Sequence, residues 1–282
     1  MWPTLFKIGD FPIGTFGLFV AIGFFAAYWV ATHRARKAGL DRDLFANLAI
    51  YSLIGGILGA KLLFVAVYFG QAPLTELLFS RSGLVFYGGL IAGIGTGWVL
   101  TLRYGWNPAV VADIGAPAVP LGQFFGRIGC LFNGCCYGKV CRHAFGIRFP
   151  RIMEGDRVVG SEAFQRHLEK GLVGWEDLHS LPVWPTQLMC SLGCLFIFLF
   201  LHFYWSKRKS FEGQLALLYL LLYSGLRFCV EIFRDDPRTP WGEAGLSTSQ
   251  VISLLLAAAA CALWVPLKKR SQARPSLYGG EA

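Results

Sequence analysis

The chain has 282 residues, of which 55% are hydrophobic and 15% are charged, and its mean hydropathy is +0.50. Because soluble globular proteins carry roughly 25% charged residues, this composition excludes an ordinary soluble domain and predicts an integral membrane protein. The net charge of +9 does not indicate a nucleic-acid partner, since most basic residues lie between apolar segments, as topology signals do.

The first apolar run lacks a basic start and an A-x-A-like site, so we expect it to be retained in the protein. In chain order, seven runs approach the length of about 20 residues that a helix needs to cross a bilayer. They cover residues 13–32, 46–69, 85–102, 110–132, 185–205, 213–231 and 249–267. We therefore predict an all-α integral membrane protein with seven transmembrane helices.

The fourth run differs from the others because it contains polar residues and two prolines. These are Asp113, Pro117, Pro120, Gln123 and Arg127. Proline removes a helical hydrogen bond, and polar groups at membrane depth need a protein or water partner. We expect a kinked or broken helix that lines something polar.

Lysine and arginine are distributed unequally between the runs. The segments after the first, third, fifth and seventh runs hold twelve of them, whereas the short segments on the opposite side hold four. By the positive-inside rule, the N-terminus lies outside and the C-terminus in the cytoplasm. Long loops are exempt from that rule, so residues 133–184 were not counted.

The same pattern divides the chain into four parts. Transmembrane helices 1–4 occupy residues 1–132, a small extracytoplasmic head insert occupies 133–184, helices 5–7 occupy 185–267, and a cytoplasmic tail occupies 268–282. Within the head, the amphiphilic stretch "EAFQRHLEKGL" predicts a short helix.

Five ionisable residues fall inside the predicted spans: Lys61, Asp113, Arg127, Arg227 and Glu231. Each costs at least about 2.5–3.5 kcal/mol at the bilayer centre and therefore needs a reason. Arg227 and Glu231 are spaced i,i+4 and can neutralise each other. Lys61 and Arg127 have no obvious partner apart from Asp113. Surplus cations near the outer face are typical of an anion site, here a phospholipid headgroup.

Eight cysteines are present, at positions 130, 135, 136, 141, 190, 194, 229 and 261. The spacing of the first four matches no C-x2-C zinc or cluster pattern, so we expect no metal. Cys141 lies in an outward, oxidising segment, and a disulfide with Cys135 or Cys136 is one hypothesis. The last four lie in or beside apolar runs and are expected to be small buried side chains.

"GRIGCLFNGCCYG" at residues 126–138 resembles the signature of the bacterial prolipoprotein diacylglyceryl transferases. Other blocks, in the same order along nearly the whole chain, are similar to that family. They are "FPIGTFGLFVAIGF", "GAKLL", "FYGGLIAG", "ADIGAPAVPLGQFFGRIG", "WPTQL", "GLRFCVEIFRDD" and "GLSTSQVISL". The seven-helix, N-out topology of that family agrees with the charge count.

The resemblance implies an enzyme of the bacterial cytoplasmic (inner) membrane with its site toward the outer leaflet. Its substrates are phosphatidylglycerol and a secreted prolipoprotein whose signal peptide carries a lipobox cysteine. The diacylglyceryl group moves to the cysteine thiol as a thioether, and glycerol phosphate leaves. Membrane lipids are the surroundings, and no cofactor is implied.

The resemblance also implies roles for individual residues. Arg127 and Arg227 hold the phosphate, Lys61 is a lesser cation, and Glu231 orients Arg227. Asn133 and the turn from Gly134 to Gly138 bind the glycerol head, and Gln187 of "WPTQL" is a further substrate-binding residue. Tyr87 stands where the family commonly has histidine and is a candidate base, although a tyrosine of ordinary pKa, near 10, is a poor one. The acceptor cysteine ionising in the cationic field is the alternative.

Besides Tyr87, four positions depart from the family pattern. Phe16 replaces a tyrosine, Cys130 an asparagine, Cys135 a glutamate and Trp184 a histidine. Three other functions stay open at this point. They are a paralogue that binds phospholipid with an altered acceptor, a membrane thiol oxidoreductase that uses Cys135, Cys136 and Cys141, and a transporter, against which the lack of an internal repeat counts.

Overall fold

The apolar runs form helices in a computed structural model of the full chain. It describes residues 4–8, 11–80, 83–154, 157–158, 161–235 and 245–272. The contacts divide the chain into two compact units. One contains Met1–Ala27 and Gly115–Ala282, and the other contains Tyr28–Ile114.

Nine helices and four short strands lie within the described residues. The helices are α1 (Thr15–Lys37), α2 (Arg42–Val67), α3 (Leu74–Phe79), α4 (Phe86–Arg103), α5 (Pro108–Asn133), α6 (Glu162–Glu169), α7 (Thr186–Leu199), α8 (Gln214–Ile232) and α9 (Thr248–Gln272). The strands are β1 (Thr4–Ile8), β2 (Phe11–Gly14), β3 (Met153–Glu154) and β4 (Arg157–Val158), paired as two antiparallel hairpins. A π-helical turn, Phe200–Tyr204, and a short 3₁₀ turn, Trp205–Lys207, continue α7.

Glycines allow α2 and α4 to pack closely within the Tyr28–Ile114 unit. A Cβ added at Gly59 would lie 2.7 Å from the carbonyl oxygen of Gly88, and one added at Gly88 would lie 2.6 Å from Cβ of Leu63. Real Cβ atoms do not approach so closely, so only glycine fits at these two positions. Small residues that bring helix backbones together are characteristic of membrane proteins.

α5 is one uninterrupted helix from Pro108 to Asn133, with Pro117 and Pro120 fully buried inside it. The helix is therefore not broken, whereas the alternative of a kink at the prolines stays a prediction. Neighbouring helices in a membrane protein satisfy or shield the carbonyls that proline leaves free, so the helix continues. Its C-terminal half packs against α1, where the Cβ position of Gly23 lies 2.9 Å from the carbonyl oxygen of Gly122.

α7, α8 and α9 form the rest of the first unit. Ile197 and Leu201 pack against Leu215 of α8 and Ala116 of α5 in one buried cluster. Cys190 and Cys194 of α7 pack against Val230 of α8 in a second. Phe211, Leu217 and Ala260 connect α8 with α9 in a third. These contacts fix the N-terminal end of α7 and the C-terminal end of α8, which carry the site.

The predicted head insert contains the expected short helix, α6. Ser161 caps its N-terminus by accepting a hydrogen bond from the backbone N–H of Phe164. The core of the head is formed by Tyr137, Phe149, Ala163 and Val183, with Leu131 of α5 packed against it. The apolar residues of this segment therefore form a small core of their own that continues the end of α5.

In the part of the chain that the structure describes, six helices are long and apolar enough to cross a membrane, by length and composition. They are α1, α2, α5, α7 with its continuation to Lys207, α8 and α9 to Ser271. α4 covers the predicted third span, but it has 18 residues, is rich in glycine and ends at Arg103. A mostly helical membrane protein is confirmed, whereas the seventh crossing and the orientation stay predictions.

Candidate functional site

The end of α5 turns sharply into the segment from Gly134 to Gly138. Gly134 has a φ of +71°, and its N–H donates to the carbonyl of Leu131 at 3.2 Å. The N–H of Cys135 donates to the carbonyl of Cys130, also at 3.2 Å. These two bonds form the Schellman motif that ends many helices at a left-handed glycine. The glycine that was predicted to bind substrate thus has a conformational role of its own.

Two side chains of α7 hold the next residues of this turn. Thr186 Oγ1 donates to the carbonyl of Cys136 at 2.7 Å, and Gln187 Nε2 donates to the carbonyl of Cys135 at 2.9 Å. Cys136 has a φ of +61°, which costs a non-glycine residue roughly 1–2 kcal/mol. Buried hydrogen bonds to both neighbouring carbonyls offset that cost and fix where the two thiols lie.

Gln187 itself is buried, with an exposed fraction of 1%. Its Oε1 has no hydrogen-bond partner among the residues that the structure describes. A buried amide oxygen without a partner is costly, so a ligand hydroxyl donating to it would relieve that cost. The substrate-binding role of Gln187 stays a prediction, and its Oε1 is available as an acceptor.

Arg127 lies on the last turns of α5, facing α7 and α8. Its guanidinium interacts electrostatically with the thiols of Cys190, Cys130 and Cys136 and with the hydroxyl of Tyr223. No carboxylate within the described ranges forms an ion pair with it. A cation inside a membrane-spanning helix without a counter-charge is unfavourable unless an anion is bound there.

Arg227 and Glu231 form the predicted pair on α8. Nη1 of Arg227 is 2.6 Å from Oε2 of Glu231, and Nη2 donates to Ser249 Oγ at 2.9 Å. Glu231 Oε1 accepts from Ser247 Oγ at 2.9 Å. Both serines lie at the start of α9, so the buried charge pair also connects α8 to α9.

A third arginine, Arg234, was not among the predicted site residues. Its Nε lies 3.8 Å from Oε2 of Glu231, and its side chain is 4% exposed. Cys136 interacts with both Arg234 and Arg127, and Cys190 interacts with both Arg127 and Arg227. In the sequence, the signal was the i,i+3 spacing of Glu231 and Arg234, although α8 ends at Ile232 and Arg234 lies just beyond the helix.

Taken by themselves, Arg127, Arg227 and Arg234 with Glu231 carry a net charge of plus two among the described residues. The effect is visible at the turn, where hydrogen bonds from Cys130 and Cys135, followed by the charges of Arg234 and Arg127, lower the pKa of the Cys136 thiol. The hydrogen-bonded thiol of Cys135 has a raised pKa in turn. The site therefore favours one negative charge, on sulfur or on a bound anion.

The other two ionisable residues predicted inside the spans have partners close in space, within the Tyr28–Ile114 unit. Lys61 Nζ donates to Ser80 at both its carbonyl (2.9 Å) and its Oγ (3.0 Å), which caps the end of α3. Asp113 interacts with Arg34, whose Nη2 also donates to the carbonyl of Asp113 at 3.3 Å. Asp113 is thus the partner of Arg34.

Three further predicted site residues, Tyr87, Asn133 and Gly138, lie at or just beyond the ends of helices. Tyr87 is half-exposed in the first turn of α4, edge-on to Phe86. Asn133 is exposed at the last residue of α5. Gly138 is buried, and a Cβ added there would lie 2.6 Å from Cβ of Trp184. Tyr87 and Lys61 belong to the Tyr28–Ile114 unit, and their catalytic and binding roles stay predictions.

All eight cysteines lie within the described residues and are free thiols, so the predicted disulfide is not formed. Cys130 is the residue that lies beside Cys135 and Cys136, where Cys141 was expected. Cys190 and Cys194 are buried as predicted, but Cys229 and Cys261 are exposed. The prediction was wrong for these two because a helix that is apolar on all sides gives no sign of which face meets lipid.

In addition to Cys130 and Cys135, two departures from the family pattern lie beside the elements that carry the site. Phe16 contacts the Cβ position of Gly129 on α5 at 3.2 Å. Trp184 packs on Phe233 at the end of α8, with ring centroids 5.0 Å apart. Aromatic packing therefore occupies both of these positions.

Comparison with known proteins gives one consistent result. Residues 3–266 match the family described as prolipoprotein diacylglyceryl transferase. Phosphatidylglycerol–prolipoprotein diacylglyceryl transferase 2 of Clostridium perfringens is 32% identical over 257 residues, which is 90% of each chain. The enzyme of that name from Clostridium tetani is 33% identical over 256 residues, covering 90% of this chain and 93% of its own. One from Dehalococcoides mccartyi is 30% identical over 280 residues, covering 96% and 95%.

Proposed function

The chain belongs to the prolipoprotein diacylglyceryl transferase family, and we propose that it transfers the diacylglyceryl group of phosphatidylglycerol to a prolipoprotein. The acceptor is the thiol of the lipobox cysteine in the signal peptide. The observation that carries the proposal is Arg127, a cation in a membrane helix that no described carboxylate neutralises.

The reaction exchanges one bond for another. The acceptor sulfur forms a bond to the glyceryl carbon of the lipid as the bond from that carbon to the phosphate oxygen breaks. The thiol proton passes to a base, and the product is a thioether plus glycerol phosphate. Negative charge grows on the leaving phosphate, so fixed cations around it lower the barrier.

Arg127 and Arg227 are proposed to hold the phosphate, because a guanidinium binds it through two parallel hydrogen bonds. Glu231 orients Arg227 through their ion pair of 2.6 Å. Arg234 adds a third cation that shares Glu231 and faces Cys136. One phosphodiester charge would thus neutralise half of the positive excess of the site.

The glycerol head is proposed to lie against the turn from Gly134 to Gly138, with Asn133 at its start. Oε1 of Gln187 supplies an unsatisfied acceptor for a glycerol hydroxyl. Tyr87 is the proposed base and Lys61 a supporting cation. Cys136, with its lowered pKa, lies beside two arginines, in a field that also favours ionisation of an incoming thiol.

We further propose seven crossings, with α4 as the third, an outward N-terminus and a cytoplasmic C-terminus. The site then opens to the outer leaflet of the inner membrane, with the 133–184 head above it. Reporter fusions after Arg103 and after Lys207 should both report the cytoplasm. A fusion after Arg103 that reports the outside would show that α4 does not cross the membrane.

The activity is tested with purified protein, phosphatidylglycerol and a lipobox peptide, by mass spectrometry of the peptide cysteine. Arg127→Lys keeps the positive charge but removes the planar guanidinium, which can bind phosphate through two parallel hydrogen bonds. We expect turnover to fall by about 10²–10³-fold, as when one preorganised donor is lost. Arg36→Gln, at an exposed arginine of α1, is the matched control and should retain full turnover. Unchanged product with Arg127→Lys would refute the phosphate role.

A further inference from the structure

Three thiols meet at the end of α5 in an arrangement that the proposed transfer does not use. The sulfur atoms of Cys130, Cys135 and Cys136 all lie within 4.8 Å of one another. Cys130 is buried and the other two are partly buried. Their spacing in sequence matches no common metal motif, and the helix-ending turn alone brings them together.

The backbone that carries these sulfurs is held in place from several sides. The Schellman bonds at Gly134 and Cys135 fix the first two residues of the turn. Thr186 and Gln187 bind the carbonyls of Cys136 and Cys135. Cys136 is kept at a positive φ, a conformation that persists only where its surroundings enforce it. A site whose ligands are fixed before binding loses little entropy when an ion enters.

Three sulfur ligands without nitrogen or oxygen favour a soft metal ion. Among the described residues, the group includes no fourth cysteine, histidine or carboxylate, whereas structural zinc sites use four ligands. We propose that Cys130, Cys135 and Cys136 form a three-sulfur site for Cu(I). As three Cu–S bonds form, three thiol protons leave to the solvent and no electron is exchanged.

The charges around the cluster match such a complex. Cu(I) with three thiolates carries a charge of minus two. Arg127, Arg227 and Arg234, less Glu231, supply plus two, and Cys136 interacts directly with Arg127 and Arg234. Buried thiolates are favoured where cations lie close to them. The excess positive charge therefore suits either a phosphate or this metal complex.

Competition with the lipid follows, and this step rests on the proposed function. A bound Cu(I) complex neutralises the cations that are proposed to hold the phosphate. Added Cu(I) should therefore inhibit the transfer reaction, and more phosphatidylglycerol should relieve the inhibition. Titration of the protein with Cu(I) needs no lipid substrate, so its result does not depend on the outcome of the transfer assay.

The full chain, reduced and kept anaerobic in detergent, is titrated with Cu(I) against a chromophoric chelator. We expect one tightly bound Cu(I) per chain. Cys135→Ser should weaken binding by at least about 10–100-fold, since even outer-shell changes at metal sites have effects of that size. Cys229→Ser and Cys261→Ser change exposed thiols on α8 and α9 and should bind as the parent does.

X-ray absorption of the parent protein provides a second measurement that no variant can confound. A first shell of three sulfurs supports the proposal. A two-sulfur shell, equal affinity of the parent and Cys135→Ser, or tighter binding of Zn²⁺ than of Cu(I) would each overturn it.

Discussion

Glu231, in the last turn of α8, lies between the guanidinium of Arg227 on the same helix and that of Arg234 just beyond the end of the helix. Its Oε2 is 2.6 Å from Nη1 of Arg227 and 3.8 Å from Nε of Arg234, and all three side chains are nearly buried. Its other oxygen accepts a hydrogen bond from Ser247. One carboxylate thus faces two buried cations and joins α8 to the start of α9.

Glu231→Gln should be strongly destabilising for this reason. Removing one partner of a buried ion pair costs about 3–5 kcal/mol, because the remaining charge stays buried. Unfolding of the detergent-solubilised protein measures the change. Glu169→Gln, at an exposed residue of α6, serves as the control and should leave the free energy of unfolding nearly unchanged. Equal stability of both variants would contradict a buried pair.

The stability of the head should depend on the protonation of His167. This residue is fully buried, and burial lowers its pKa below the ordinary value. Nδ1 accepts from the N–H of Leu181 at 3.2 Å, and Nε2 has no partner among the described residues. The neutral form is therefore the folded form, and its contribution is fully present above about pH 6.5, the unfolded pKa. It is lost as pH falls through the lowered folded pKa.

The melting temperature, measured between pH 5 and 7.5, tests the predicted direction of this pH dependence. The parent should lose stability on acidification, and His167→Asn, which keeps an acceptor near Nδ1 but cannot titrate, should lose less. His143→Asn, at an exposed histidine, should follow the parent. A steeper loss for His167→Asn than for the parent would show that the histidine is charged in the folded head.

Because α2 and α4 approach closely, alanine substitutions at two glycines of α4 should differ in their effect on stability. Gly88→Ala places a Cβ 2.6 Å from that of Leu63, whereas Gly95 has nothing within 4 Å of the corresponding position. Overpacking of this kind costs about 1–3 kcal/mol. Gly95→Ala should be neutral or slightly stabilising because alanine is the better helix former. Unfolding in detergent compares the two, and similar losses would argue against tight packing.

Gly134→Ala should impair both stability and transfer. Gly134 and Gly171 have φ values of +71° and +65°, so alanine is strained at each. At Gly134, the new Cβ would also lie 2.8 Å from Cα of Ser161, whereas Gly171 has open space. We expect Gly134→Ala to cost about 1–3 kcal/mol more than Gly171→Ala. An equal loss of transfer activity in both variants would contradict a specific role of the turn at Gly134 in the reaction.

Apolar run length and isolated charges were sufficient to predict most of the helices and three of the charges at the site. Hydrophobic length is a local property, and the i,i+4 relation of Arg227 to Glu231 can be counted along the chain. The head helix α6 was likewise predicted from its amphiphilic sequence. Each of these features depends on residues that are close in sequence.

Features that depend on distant contacts were not predicted. Asp113 pairs with Arg34, 79 positions away, and nothing local indicates that choice. α5 continues through two prolines because its neighbours bury them. The hairpins β1–β2 and β3–β4 have strands of two to five residues, which are too short for a clear alternation. Arg234 was interpreted as a topology signal because it follows the apolar run.

Arg234 is also the residue at which the inserted head meets the membrane helices. Its backbone forms an antiparallel bridge with Gly138, and the N–H of Lys139 donates to the carbonyl of Phe233 at 2.8 Å. Main-chain hydrogen bonds therefore connect the start of the head to the backbone that carries one of the three arginines. The position of that arginine thus depends on how the head is held as well as on α8.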